Sequence, residues 1–185
     1  MSQGFGNGIV EDARGIRAIA KYHQEFLIAS SFSKNLGLYN ERVGALTIVS
    51  ATKEDATRVL SQLKIAVRTA ISNPPAHGEK VVVKVLSDAT LRAQWQDELA
   101  EMRNRIRTMR ELLVAKLKEA GAGDFNFIVE QNGMFSFSGL NKAQVERLKN
   151  EFAIYIVGSG RICLAGITTN NIDKLVKAIT AVVKA

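Results

Sequence analysis

The sequence predicts an α/β fold, and three observations carry the prediction. Two apolar runs, 26-FLIASSFS-33 and 43-VGALTIVS-50, have the length and composition of strands and are separated by a short connection. From about Ser87 to Ala120, Leu91, Trp95, Leu99, Met102, Ile106, Met109, Leu113 and Leu117 recur at three and four, with no glycine or proline between them. Beyond Gly121 and Gly123 the style changes to short aromatic and β-branched runs broken by turn residues, the pattern of an α+β unit. The expected division is therefore 1–100 and 101–185, with the boundary inside the long helix.

The elements follow in order. Residues 11–22 place Ala13, Ile16, Ile19 and Ala20 behind acidic residues, a short helix. The run at 26–33 reads as a buried parallel strand and 43–50 as a second strand. Thr52 followed by Glu54 and Asp55 starts a helix that runs to about residue 70. Asn73-Pro74-Pro75 must break it, because a proline ring cannot continue a helix and pushes its predecessor to an extended state. A helix follows through Val81, Val82, Val83 and Leu86, although the β-branched run leaves a strand open. At 1.5 Å per residue, the helix of about 33 residues that comes next spans about 50 Å, long enough to run along or between two units. Residues 125-FNFIVEQNGMFSFSGL-140 predict a β-hairpin turning at Asn132-Gly133. A helix at 141–151, strand-like 153–158, a strand at 161–167 and a terminal helix at 169–183 complete the chain.

Composition excludes several classes. The 185 residues, 46% hydrophobic and 23% charged, suit a soluble globular protein, and no apolar run approaches the roughly 20 residues of a membrane span. Cys163 is the one cysteine, so no intrachain disulfide forms, and no secretory signal pattern opens the sequence. A cytoplasmic location is expected. The net charge of +7 is concentrated in arginines interleaved with glutamates at helical spacing, a solvated helix face rather than a nucleic-acid surface. Two histidines and one cysteine give no metal-ligand spacing. Cys163, Trp95 and the methionine stripe read as core.

Three places could carry chemistry. Lys34 follows an apolar strand at its C-terminal end, where open α/β sheets collect ligands. Ser31 and Ser33 are small donors on the approach, Gly37 permits a tight turn, and Arg42 offers a fork of donors suited to phosphate. An amine beside phosphate-binding groups is what pyridoxal phosphate chemistry needs. The plain alternative is a solvated lysine at a strand end. Arg161, after Gly-Ser-Gly, could grip a carboxylate through two parallel hydrogen bonds, or could simply cap a hairpin. Arg68 precedes a rigid Asn-Pro-Pro turn and is held in place for a ligand, or only complements a helix C-terminus.

Ser-x-Ser-Lys-Asn-x-Gly-Leu-Tyr-x-Glu-Arg-x-Gly, Ser31 to Gly44, resembles the cofactor-attachment motif of the class I aminotransferases, the aspartate and aromatic amino-acid aminotransferases above all. Gln3-Gly4-Phe5, Ser72 to Gly78, Gln131 to Gly139 and Ser159-Gly160-Arg161 fall in order with it. The resemblance implies the C-terminal part of the fold of pyridoxal-phosphate-dependent transferases. It comprises a remnant of the large cofactor domain with a partial sheet (1–100), a long linking helix, and an α+β small domain (101–185). It implies that Lys34 forms the Schiff base with pyridoxal 5'-phosphate and shuttles the proton, with Ser31 and Arg42 as phosphate ligands and Ser33 nearby. Arg161 resembles the arginine that binds the substrate's α-carboxylate, and Phe135 an aromatic lining the pocket. Arg68 resembles the arginine that reaches across a homodimer interface to a distal carboxylate. Aspartate is the first substrate implied and aromatic amino acids the second, with a 2-oxo acid as acceptor.

The chain departs from the family at its start, with Met1-Ser2 where an aspartate and a tyrosine precede Gln-Gly-Phe. That aspartate partners the cofactor's ring nitrogen, so these 185 residues alone are expected to bind the cofactor weakly and not to transaminate usefully. The rival expectation is a non-catalytic module whose uncovered strand edges are met by oligomerisation.

Overall fold

The computed structural model describes residues 3–184; Met1 and Ser2, where the resemblance departs from its family, and Ala185 lie outside the described residues. The chain divides into two compact units, one holding Gln3, Gly4 and Gly8–Leu99, the other Phe5–Asn7 and the chain from Ala100 onward.

In the first unit a 3-10 turn at Glu11–Ala13 leads into α1 (Arg14–Tyr22). Strands β1 (Phe26–Ser31) and β2 (Gly44–Val49) follow. The expected buried parallel strand is corrected: β1 pairs antiparallel with β2, Phe26 opposite Val49 and Ser31 opposite Gly44. Alternate residues of β1 are exposed, because a two-stranded ribbon covers at most one face. Helix α2 (Lys53–Ile71) begins where Thr52 Oγ1 accepts the Asp55 backbone N–H at 3.1 Å, an N-cap that satisfies one orphan donor of the first turn. It ends at Ser72, whose φ of 56° turns the chain before Pro74 and Pro75. The valine run left open above is helical, α3 (His77–Ser87). Asp88 separates α3 from the 31-residue α4 (Ala89–Glu119) and caps the latter, Oδ1 accepting from the Thr90 and Leu91 N–H groups at 3.1 and 3.2 Å. Lys84 and these amides hold the Asp88 carboxyl below its ordinary pKa, since all of them favour the charged form.

The second unit is built on the part of α4 from Ala100. Ile106, Met109, Leu113, Val114 and Leu117 form its buried stripe. After it come a single helical turn, α5 (Phe127–Glu130), strand β3 (Phe135–Phe137), α6 (Lys142–Phe152), β4 (Arg161–Cys163), a 3-10 turn at Leu164–Gly166 and α7 (Ile172–Val183). Asn141 and Gln144 close a reciprocal capping box at the start of α6. The helices α6 and α7 bury Val145 and Leu148, and Ile172, Val176, Ala178, Ile179 and Val182.

Two strand expectations fail in this unit. The hairpin at 125–140 does not form. Residues 127–130 are helical, and β3 instead pairs antiparallel with β4, Phe135 opposite Cys163 and Phe137 opposite Arg161. On the free edge of β3 the Gln131 side chain takes the role of a strand, accepting the Phe137 N–H at 2.8 Å and donating to the Phe137 carbonyl at 3.1 Å. Residues 153–158 hold no strand, the chain having turned through Ala153 in the left-handed region at φ 51°. The core assignments of Cys163 and Met102 are likewise corrected: both are exposed, while Trp95 is half-buried.

Candidate functional site

The first unit carries a loop from Phe32 to Val43 between β1 and β2, which holds Ser33, Lys34 and Arg42, with Ser31 just before it. Ser31 ends β1 and its Oγ accepts the Ser33 backbone N–H at 3.2 Å, with the two hydroxyls 3.1 Å apart. Lys34 is half-buried, its Nζ 4.1 Å from the centre of the Tyr39 ring, a cation resting on the ring's negative face. Arg42 has φ 51°, a conformation that costs a non-glycine residue about 1–2 kcal/mol. Its Nη1 donates to the Tyr39 carbonyl at 3.0 Å, which closes the turn. Gly37, at φ +68° with open space where a Cβ would lie, supplies the other reversal of the loop. Tyr39 thus touches both cations, through its ring and through its carbonyl. Strain confined to a loop rich in donors is a common mark of a binding segment.

The outer end of the loop is tied down by Glu41, whose Oε2 lies 2.8 Å from His77 Nδ1. Ser31, Ser33 and Arg42 supply two hydroxyls and a guanidinium within one segment, a donor set suited to a phosphate, beside an amine able to condense with an aldehyde. Arg68 does not share that loop. It lies exposed in the last turn of α2, where it borders a shallow depression with Leu60, Leu63, Lys64, Val67 and Ser72.

In the second unit Phe135, Phe137, Arg161 and Cys163 are exposed together on one face of the β3–β4 pair, and Ser136 and Ile162 are buried on the other. The Arg161 guanidinium lies 5.0 Å from the centre of the Phe135 ring, so one of its faces is shielded while its edge N–H groups stay available to a planar carboxylate. Gly160 is required just before it: a Cβ there would meet the Leu140 carbonyl oxygen at 2.6 Å, and φ is +77°. Its own carbonyl accepts from the Ser138 N–H at 2.9 Å and the Ser138 hydroxyl at 2.6 Å.

The solvated helix face expected for the arginine run is corrected at Arg110, which lies buried beneath the β3–β4 face, while Arg105 of the same run is exposed. Arg110 of α4 is buried and donates to the Ile128 carbonyl at 2.8 Å, the Gly133 carbonyl at 2.6 Å and the Ser136 hydroxyl. Burial pushes its pKa down, because desolvation disfavours the charged form. Arg105 donates to the Ala165 and Ile167 carbonyls at 2.5 and 3.0 Å, holding the chain just past β4. The available signal was the Phe-Ser-Phe-Ser alternation, since a serine on the inward face needs a buried partner. Among the described residues no group of three or more His, Cys, Asp and Glu could hold a metal ion, and no helix is long and apolar enough to cross a membrane.

Residues 3–179 match the family model for aminotransferase class I and II. An aspartate aminotransferase of Haemophilus influenzae is 60% identical and one of Escherichia coli 56% identical, each over 97% of this chain and 46% of its own length. The aromatic-amino-acid aminotransferase of Escherichia coli is 48% identical over 97% of this chain and 46% of its length. Among solved structures, an aromatic-amino-acid aminotransferase of Burkholderia pseudomallei, covalently bound to pyridoxal phosphate, is similar at a TM-score of 0.94 and 53% identity, over 98% of this chain and 46% of that one. The chain spans about half the length of the curated relatives it matches. Its α/β fold is that of about half of such a structure.

Proposed function

The chain belongs to the class I and II aminotransferases, and from that premise we propose that it carries the Lys34 half of a pyridoxal-phosphate site and the carboxylate-binding half of a substrate site. The observation that carries the reading is one short segment, Ser31 at the end of β1 with Ser33, Lys34 and Arg42 in the loop that follows, all within twelve residues of chain inside the matched segment. Pyridoxal phosphate, when bound, supplies an electron sink for the bond broken at the amino acid's α-carbon. Lys34 Nζ is the attachment point and then the base that takes the α-proton and returns it. Ser31 and Arg42 hold the phosphate, with Ser33 beside them. Arg161 binds the α-carboxylate through two parallel N–H donors, Phe135 fixes the plane of that guanidinium, and the open face of β3–β4 receives the substrate. The large-domain and small-domain roles fall to 1–100 and 101–185. In the whole enzyme this half acts in the cytoplasm as part of a homodimer, moving an amino group from an amino acid to a 2-oxo acid, whereas these 185 residues alone are not expected to transaminate usefully.

Aspartate is the favoured amino acid, because Arg68 offers a second cation to a distal carboxylate, and in a homodimer it serves the neighbouring site. Arg68→Leu in the whole enzyme is expected to lower kcat/KM for aspartate about a hundredfold, the cost of leaving a carboxylate without its charged partner. The value for an aromatic amino acid should stay within about threefold, a difference below 1 kcal/mol. Equal losses for both would remove Arg68 from substrate choice.

A non-catalytic module is the second reading, favoured by the apolar side chains exposed on the first unit, Leu27, Leu46, Leu60, Ile65, Val67 and Ile71. One experiment separates the two. The chain is mixed with pyridoxal phosphate, reduced with borohydride, digested and mapped by mass spectrometry. Label confined to Lys34 supports the cofactor site; label scattered over exposed lysines, or none, supports the module.

A further inference from the structure

The Lys34 loop is tied to the body of its unit on both sides of the candidate site, and the tie next to Lys34 is Asn35. From Ser31 to Val43 it is the buried position, 6% exposed. Its backbone carbonyl accepts the Trp95 indole N–H at 2.6 Å, from sixty positions further along the chain. Its Nδ2 donates to the Gln3 carbonyl at 3.4 Å, and its Oδ1 is buried without a partner. The backbone bonds of Phe32 with Val43 and of Leu36 with Phe32 are internal to the loop and do not place it. The Asn35–Leu36 peptide unit, one residue beyond the Lys34–Asn35 link, is therefore located by a rigid donor on α4. A side chain that must meet a carbonyl within a few tenths of an ångström needs such support from its backbone.

We propose that Trp95 is the positioning residue for Lys34: its indole N–H fixes the Asn35 carbonyl and so the direction from which the Lys34 amine is presented. This rests on the reading of Lys34 as the cofactor-bearing amine. Trp95 touches neither cofactor nor substrate in this account, and it acts through the main chain.

The test is the reactivity of Lys34 without cofactor. Reductive methylation with formaldehyde and borohydride is followed residue by residue by mass spectrometry, with Lys64, exposed on α2 of the same unit, as internal reference. In the parent chain Lys34, half-buried on Tyr39, should be methylated more slowly than Lys64. In Trp95→Phe, which removes the N–H and keeps an aromatic ring, the Lys34-to-Lys64 ratio should rise about three- to tenfold, the equivalent of one neutral hydrogen bond lost. A ratio unchanged in a folded variant overturns the proposal. Should the variant not fold, the parent decides. Its single tryptophan gives one indole proton resonance. That proton should exchange with solvent at least about tenfold more slowly than in free indole. It should also shift when Lys34 is methylated; exchange at the free rate, or no shift, overturns the proposal. Failure of pyridoxal phosphate to label Lys34 in the parent would defeat the cofactor reading instead, and the methylation ratio is independent of that result.

Discussion

Lys34→Ala is expected to lower the transamination rate of the whole enzyme by at least about a thousandfold, or about 4 kcal/mol in the barrier. On the proposed reading the substitution removes two functions at once, the amine that holds the cofactor and the base that moves the α-proton. The fold should survive. The side chain is half-buried, and its described interaction is the contact with the Tyr39 ring, worth about 0.5–1 kcal/mol. Single-turnover kinetics with aspartate, beside a melting curve within a few degrees of the parent, would agree with the assignment. An enzyme that retains a tenth of its rate would show that another group performs the proton transfer.

The second large effect falls on stability. Arg110→Leu leaves the Ile128 and Gly133 carbonyls and the Ser136 hydroxyl facing an apolar side chain in a buried place. Relief of the guanidinium's own desolvation offsets part of that loss, and the net cost should be about 3 kcal/mol. For a unit of this size each kcal/mol lowers the melting temperature by roughly 4–8 °C, so a fall of roughly 12–24 °C is expected by circular dichroism. Because Ser136 lies between Phe135 and Phe137, the same variant should also raise KM for the amino acid. A melting point within about 3 °C of the parent, less than 1 kcal/mol on this scale, would mean that water replaces the guanidinium at little cost.

The helices were legible because each carries its own evidence. Thr52 with Asp55 starts α2, Pro74 and Pro75 forbid its continuation, and the three-four repeat marks α4. The strand pair that presents Arg161 was not legible. Asn132-Gly133 between apolar runs is a local signal for a hairpin, but β3 takes as partner a segment 24 positions or more away, and the Gln131 amide occupies the edge a local strand would have used. Non-local pairing leaves no mark on either segment alone. Cys163 was misplaced for a related reason: an apolar run suggests burial on both faces, yet a two-stranded sheet turns alternate residues outward. The Lys34 loop could be read as a set of residue types before its geometry was known, because lysine, serines and arginine in one short segment state their chemistry directly. The supports could not, since Trp95 and Arg110 looked like ordinary members of a helix pattern.

The two units divide the hydrophobic interior unequally. Val82 and Leu99 are the buried hydrophobic side chains described in the first, whereas the second buries most of α4's later stripe and the inner faces of α6 and α7. The stability of this chain therefore responds to substitution differently in the two stretches. A polar replacement at Leu60 or Ile65 changes the intrinsic stability of this chain by about 0.5 kcal/mol or less, while truncating Leu113 or Leu148 costs about 2–5 kcal/mol. The lysine loop lies in the stretch that contributes little apolar burial to this chain, so most substitutions there should bear on what the loop binds rather than on whether the chain folds.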